Sequence, residues 1–254
     1  MQERTHDALV TEQFGPRANA YLTSAVHARG EDLEQFIALV GSRPEAYAMD
    51  LGFGGGHVSF ALAPLVHKVV AYDLSEAMVA MVRAEATRRG FANLDARLGT
   101  AERLPCPDAA FDIVATRYSA HHWLDVQAGL REARRVLKPG GLAVFMDATT
   151  PGSPLLDTWL QALELLRDPS HVRNYALEEW RGMAEAAGLK PGAVSRFRLR
   201  LEFSSWIKRM NTPEIHAEAI RSLQQRAGAE VTQHFEIEPD GSFTIDTMLM
   251  TAEG

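Results

Sequence analysis

Short apolar runs and amphipathic stretches take turns along the middle of this chain, and that rhythm leaves few folds open. From residue 45 the order is a strand-like AYAMDL, a helix-like HVSFALAPL interrupted near Pro64, the strand KVVAYDL and the helix SEAMVAMVRAEATRRG. Ser75 is placed to cap that helix and Gly90 to stop it. LDARLG and FDIVATRYS read as strands, DVQAGLREARRVL as a helix stopped by Pro139-Gly140-Gly141, and GLAVFMDAT as the next strand. Strands alternating with helices predict an α/β, Rossmann-like, mostly parallel sheet with helices on both faces.

After residue 150 the rhythm changes. SPLLDTWLQALELLRD and LEEWRGMAEAAG read as helices, and AVSRFRLRLEF alternates at period two. TPEIHAEAIRSLQQRAG is a further helix, with Thr212 expected as cap and Pro213 at its first position. GSFTIDTMLMTAEG closes the chain as a strand. No linker stands out, so one domain is expected over 1–254: a helical lid over 1–44, a core over 45–150, and sheet completion with cap insertions over 151–254.

Composition narrows the partners. A formal net charge of −7 offers no broad basic footprint, so nucleic acid is not expected. The single cysteine, Cys106, excludes an intrachain disulfide framework and a thiolate metal cluster, which suits a reducing compartment. The start, MQERTHDALVTEQF, lacks a signal-like apolar region, and no run approaches the roughly 18–20 apolar residues of a membrane span. A cytoplasmic protein without a membrane span is expected. Oligomeric state is left open, a homodimer included.

The stretch MDLGFGGGHVSF sets four glycines in five positions directly after the first strand. In open α/β sheets ligands sit at the carboxyl ends of strands where strand order reverses. Asp73, in YDLS at the end of the second strand, lies about 20 residues on, where an acid can accept hydrogen bonds from ribose hydroxyls. The alternative, a helix-capping role, is less needed because Ser75 can cap. A dinucleotide dehydrogenase wants a third glycine where this chain has His57. It also has no use for Asp50, which would repel a pyrophosphate but could organise the turn or bind an ammonium group through water.

Four stretches taken together resemble the class I S-adenosylmethionine-dependent methyltransferases, nearest the ubiquinone/menaquinone C-methyltransferase (methyltransferase type 11) branch. They are DLGFGGG, YDLSEAM, GTAERLPCPDAAFDIV and REARRVLKPGG, and the resemblance covers about residues 45–150, with a looser match in the amino-terminal helix. It implies a seven-stranded sheet whose last strand runs antiparallel. It also implies S-adenosyl-L-methionine as cofactor and S-adenosyl-L-homocysteine as product. Asp50, Gly52 and Gly54 would hold the methionine part, Asp73 the ribose, and Leu74, Met78, Thr100, Ala101 and Glu102 the adenine side, with Arg117 at the fourth strand's tip. Tyr21 on the amino-terminal segment could reach the methionine head. Relatives often carry Asp where this chain has Thr100, which puts a charged contact to the adenine amine in doubt there.

The acceptor is expected beyond the fourth strand, where TRYSAHHWLD begins. His121 or His122 could deprotonate a phenol, enol or hydroxyl, and as neighbours only one of the two is expected to do so. A pocket-shaping or capping role is the plain alternative, and a metal site with Asp125 is not expected. Tyr118 at the strand tip, and His171, Arg173, Asn174 and Tyr175 in DPSHVRNYALEEW, form a polar set that could bind the substrate. The strand tip lacks the acid-or-Asn, two prolines and aromatic of enzymes that methylate DNA bases or glutamine. The expected function is therefore methyl transfer to the C or O of a small aromatic, quinol-like or enolisable acceptor. The alternative is a cofactor-binding enzyme or regulatory protein of the same fold without methyl transfer.

Overall fold

A computed structural model describes residues 4–17, 22 and 30–254. Helix α1 (His6–Phe14) is followed by α2 (Glu31–Val40), and then strand and helix alternate. The order is β1 (Arg43–Leu51), α3 (His57–Leu62), β2 (Val66–Asp73), α4 (Glu76–Arg89), β3 (Leu94–Leu98), β4 (Phe111–Arg117), α5 (Val126–Val136) and β5 (Leu137–Thr150). The later part holds α6 (Pro154–Arg167), β6 (Tyr175–Ala176), α7 (Leu177–Ala186), β7 (Lys190–Leu201), α8 (Phe203–Met210), α9 (Glu214–Gln225), α10 (Ala229–His234) and β8 (Phe243–Glu253).

The sheet runs β3-β2-β1-β4-β5-β8-β7, with the short β6 added beside the end of β5. Among the described residues only β8 runs against the other strands, pairing antiparallel with β5 and β7. The closing strand read from GSFTIDTMLMTAEG is thus inserted one place in from the edge.

Both faces of the central strands are covered. Met49 and Leu51 pack with Leu130, Ala133 and Val136 of α5 and Trp180 of α7. Their neighbour Ala48, with Ile113 and Val144, packs with Leu33 and Phe36 of α2 and Leu62 of α3. Strand side chains alternate sides, so a strand apolar at every position must be buried on both faces. The Ser75 hydroxyl accepts from the Met78 amide and Gly90 ends α4 in a left-handed turn, as the sequence predicts. The cap expected at Thr212 falls instead to Pro213, because the Thr212 hydroxyl donates to the Arg167 carbonyl at 3.1 Å. Helices α8 and α10 were not legible in the sequence pattern. Among the described residues no helix is long and apolar enough to cross a membrane.

Candidate active site

Strand order reverses between β1 and β4: from β1 the chain steps outward to β2 and β3, then returns to the other side as β4. The turn after β1 lies at that crevice. Gly52 has φ 66°, and a Cβ there would sit 1.8 Å from the Ser119 hydroxyl, so both the backbone and the neighbour demand glycine. The Gly52 and Phe53 amides donate to the Tyr72 carbonyl at 2.8 and 3.2 Å, and the Gly54 amide donates to Asp73 Oδ2 at 2.8 Å. These donors fasten the turn to β2. What Gly52 and Gly54 offer a ligand is the absence of side chains rather than free amides.

The turn borders a cavity with about 990 Å³ of empty space, counted out to its open mouth. The sequence candidates Asp50, Gly52, Gly54, Asp73, Leu74, Met78, Ala101, Glu102, Arg117 and Tyr118 all line it. Helix α1 adds Asp7, Val10 and Phe14. Thr100 is not in the lining: its hydroxyl donates to the Glu102 carboxylate and accepts the Glu102 amide, so it shapes the loop from behind. Arg117 reaches the wall, but its fork closes on Asp32, with Nε donating to Oδ2 at 2.6 Å and Nη2 to Oδ1 at 2.9 Å, both residues buried. Tyr21 lies outside the described residues.

The acids of this wall are unlike those of a phosphate cradle. Asp50 is 1% exposed and accepts from the Ser59 hydroxyl at 2.6 Å. Burial pushes its carboxyl up to about 7, against the pull of the Ser59 hydrogen bonds. Such a group favours a cationic partner. Asp73 Oδ1 accepts from the Ser75 amide at 2.9 Å, while Oδ2 accepts from Gly54. Burial raises this carboxyl too, and the Ser75 and Gly54 amides oppose the rise. Each oxygen keeps a second acceptor site for a hydroxyl donor. Trp123, whose ring lies where a Cβ on Gly129 would be 2.4 Å away, donates from its indole to Ser119 and closes one side. A sulfonium amino acid with a nucleoside and no phosphate suits this donor set: an acid for the ammonium, an acid for the sugar, and apolar Leu74, Met78 and Ala101 for the base.

A second cavity adjoins the first and shares Phe14, Tyr118 and His122 with it. The rest of its wall comes from His121, Ala148 of β5, Glu164 and Arg167 of α6, Asn174, Leu199 and Leu201 of β7, Trp206 and Arg209 of α8, and Ile245 of β8. Where the two cavities meet, Tyr118 adopts φ 51°, a left-handed backbone that is uncommon for a bulky side chain and costs about 1–3 kcal/mol.

The histidines sit in a short 3₁₀ turn (Ala120–His122), so neighbours that would diverge along regular structure come together, with ring centroids 4.2 Å apart. His121 Nδ1–H donates to Asp147 Oδ1 at 2.5 Å. Burial pulls His121 down, but the charge and hydrogen bond of Asp147 outweigh it and hold the ring above its usual range. His122 Nδ1–H donates to the Ser170 carbonyl at 3.0 Å. Burial, then repulsion from His121, push His122 down to about 4. Of the two rings, His121 is therefore the one that takes up a further proton first.

The polar set of DPSHVRNYALEEW does not converge. Asn174 lines the second cavity. His171 is buried, donating from Nε2 to Gln161 Oε1 at 2.9 Å, and burial pushes it down to about 2. Arg173 pairs with Asp157 and Glu179 in a separate surface groove. Tyr175 packs edge-on against Trp180. Sequence reasoning missed Asp147 and Asp32. The first is a lone acid inside the apolar run LAVFMDATT, and the second falls on the same helical face as Phe36 and Val40, the two signals that were available. Among the described residues no group of three or more His, Cys, Asp or Glu is arranged to hold a metal ion.

Sequence and fold are both similar to those of known proteins. The methyltransferase-domain family model matches residues 49–145. YcgJ of Bacillus subtilis (strain 168), described as an uncharacterized methyltransferase, is 37% identical over 222 residues, covering 87% of this chain and 88% of YcgJ. The chain belongs to the S-adenosylmethionine-dependent methyltransferases. The crystal structure of YcgJ superposes on this methyltransferase with a TM-score of 0.84 at 35% identity, over 87% of this chain and 97% of that one. The uncharacterized protein YafE of Escherichia coli (strain K12) is 49% identical over 201 residues, covering 79% of this chain and 97% of YafE. The ubiquinone/menaquinone biosynthesis C-methyltransferase UbiE of Rubrivivax gelatinosus (strain NBRC 100245 / IL144) is similar over much less: 32% identity across 117 residues, 46% of this chain and 45% of UbiE.

Proposed function

We propose that this methyltransferase acts on a small molecule bound in the second cavity, at the carbon or oxygen of an aromatic, quinol-like or enolisable group. The observation that carries this reading is the shared wall. Phe14, Tyr118 and His122 border both cavities, so an acceptor in the second lies against a cofactor in the first. When bound, S-adenosylmethionine supplies a methyl group activated by its sulfonium. Asp73 would hold the ribose hydroxyls, Asp50 the ammonium, and Leu74, Met78 and Ala101 the adenine. Arg117, spent on Asp32, fixes the wall rather than the ligand.

The apolar floor of Ala148, Leu199, Leu201 and Ile245, with Trp206 and Phe14 beside it, suits a ring or a short hydrocarbon body. Of the two histidines, His121 is the better proton acceptor. Its Nδ1–H is committed to Asp147, which leaves Nε2 as the ring's basic atom. Asp147 is then a positioning residue. His122, kept neutral, shapes the boundary between the cavities. The likeness to UbiE covers less than half of either protein, so a quinol acceptor rests on the shared core and not on the cap.

The test is methyl transfer itself. Purified protein with methyl-labelled S-adenosylmethionine, offered a panel of small phenols, quinols and 1,3-dicarbonyls, should yield a labelled product by mass spectrometry. Tight cofactor binding with no labelled product from any of these classes would favour a use of the pocket without methyl transfer.

A further inference from the structure

Asn174 is 1% exposed and lines the second cavity, yet its side-chain Nδ2 is buried without a hydrogen-bond partner. An unmet buried amide donor costs about 1–3 kcal/mol, so a native chain keeps one where something else meets it. The residue is firmly held. Its backbone amide donates to Gln161 Oε1 at 3.1 Å, and its carbonyl accepts from Gln161 Nε2 at 2.7 Å. His171 Nε2–H donates to the same Gln161 oxygen, and Gln161 Nε2 also donates to Asp157. One glutamine of α6 thus pins the 171–174 turn and sets Asn174 in the cavity wall. His121 lines the same cavity, with Asp147 holding its ring from behind. Asp147, Glu164 and Asp168 all favour a proton on that ring.

We propose that the Asn174 carboxamide and the His121 imidazole form a two-donor site for the ionised oxygen of the acceptor, which is therefore a phenol or an enol. This rests on the reading of the second cavity as the acceptor cavity. The acceptor's proton passes to His121 Nε2, and the resulting oxyanion takes a hydrogen bond from that N–H and another from Asn174 Nδ2. Charge is conserved: a neutral acceptor and a neutral His–Asp⁻ pair become an oxyanion and an imidazolium beside the same carboxylate. Two preorganised donors of this kind select an oxygen acid over a neutral ring of equal size.

The probes are 4-nitrophenol, whose colour reports ionisation, and its methyl ether 4-nitroanisole, both titrated into protein loaded with S-adenosylhomocysteine. The expected result is bound 4-nitrophenol in its coloured, ionised form at a pH where the free probe is mostly protonated. It should bind roughly tenfold or more tightly than the ether, the worth of one hydrogen bond to a charged oxygen. Asn174→Leu keeps the size and the backbone pins but removes the donor. It should abolish that preference while leaving the ether's affinity and the melting temperature near wild type. A structural role for Asn174 would move the melting temperature and both probes alike. Equal binding of the two probes to the wild type, or an unchanged preference in Asn174→Leu, overturns the proposal and leaves the acceptor cavity standing. If neither probe binds, or if binding survives Leu199→Trp in the cavity floor, the acceptor reading falls and takes the proposal with it.

Discussion

Asp50 gives the sharpest test of how the cofactor wall is built, because its two effects have opposite signs. Its carboxyl is raised from 3.8 to about 7 by burial at the tip of β1. A carboxyl raised on folding adds nothing to instability while protonated in both states. The cost grows as pH climbs through the window between those values and is complete above about 7. Three units at about 1.4 kcal/mol each make the full penalty about 4 kcal/mol. Asp50→Asn has no such titration and can still accept the Ser59 hydroxyl. In urea unfolding, the variant's stability relative to wild type should rise by about 1.4 kcal/mol per pH unit between pH ~5 and ~7, then level off. The same variant should bind S-adenosylhomocysteine roughly 10–100-fold more weakly by calorimetry, through loss of a charged partner for the ammonium. A fold that gains stability while its site loses affinity is the expected exchange at a functional group. A stability difference that stays flat from pH ~5 to ~8 would refute the claim that a buried, titrating acid faces the cavity.

Four further outcomes follow from the same geometry. Asp73→Ala should weaken S-adenosylhomocysteine binding roughly 10–100-fold by calorimetry, and unchanged affinity would remove the ribose role. Gly52→Ala places a Cβ 1.8 Å from the Ser119 hydroxyl at φ 66°, whereas at Gly54 a Cβ meets nothing within 4 Å. Urea melts should therefore show Gly52→Ala losing several kcal/mol and Gly54→Ala only about 1 kcal/mol from its backbone, and equal losses would contradict the packing. Asp32→Asn removes the carboxylate charge that faces the buried Arg117 fork and should cost about 3–5 kcal/mol in thermal or urea unfolding, with a small loss counting against the pair. Asp147→Asn withdraws the charge that holds His121 up. The rising limb of the pH–rate profile should then move to lower pH while kcat falls, and an unmoved limb would take His121 out of the proton path.

Much of this protein is legible in the order of its amino acids alone. The alternation from AYAMDL to GLAVFMDAT points to the sheet and its two helical layers because periodicity reports burial directly: a strand apolar at every position needs cover on both faces. Local signals such as Ser75 capping α4 and Gly90 ending it depend only on near neighbours, and they are legible for that reason. Most of the first cavity's wall is legible too. Asp50, the glycine turn and Asp73 belong to strand tips, and parallel strands bring their carboxyl ends to one edge whatever the rest of the chain does.

Every pairing between distant segments was left to the tertiary structure. Whether the amides of the glycine turn are free or donated to Tyr72, and whether Arg117 faces a ligand or Asp32 85 positions away, depends on how β2 and α2 seat against β1 and β4. The His121–Asp147 bond joins a turn after β4 to the middle of a neighbouring strand, and the Gln161 pin sorts Asn174 from Arg173 and Tyr175. Local pattern sets which way a backbone runs and which face is apolar. The direction of a polar side chain inside the fold is decided by whichever buried partner lies within about 3 Å, and only tertiary packing supplies that partner.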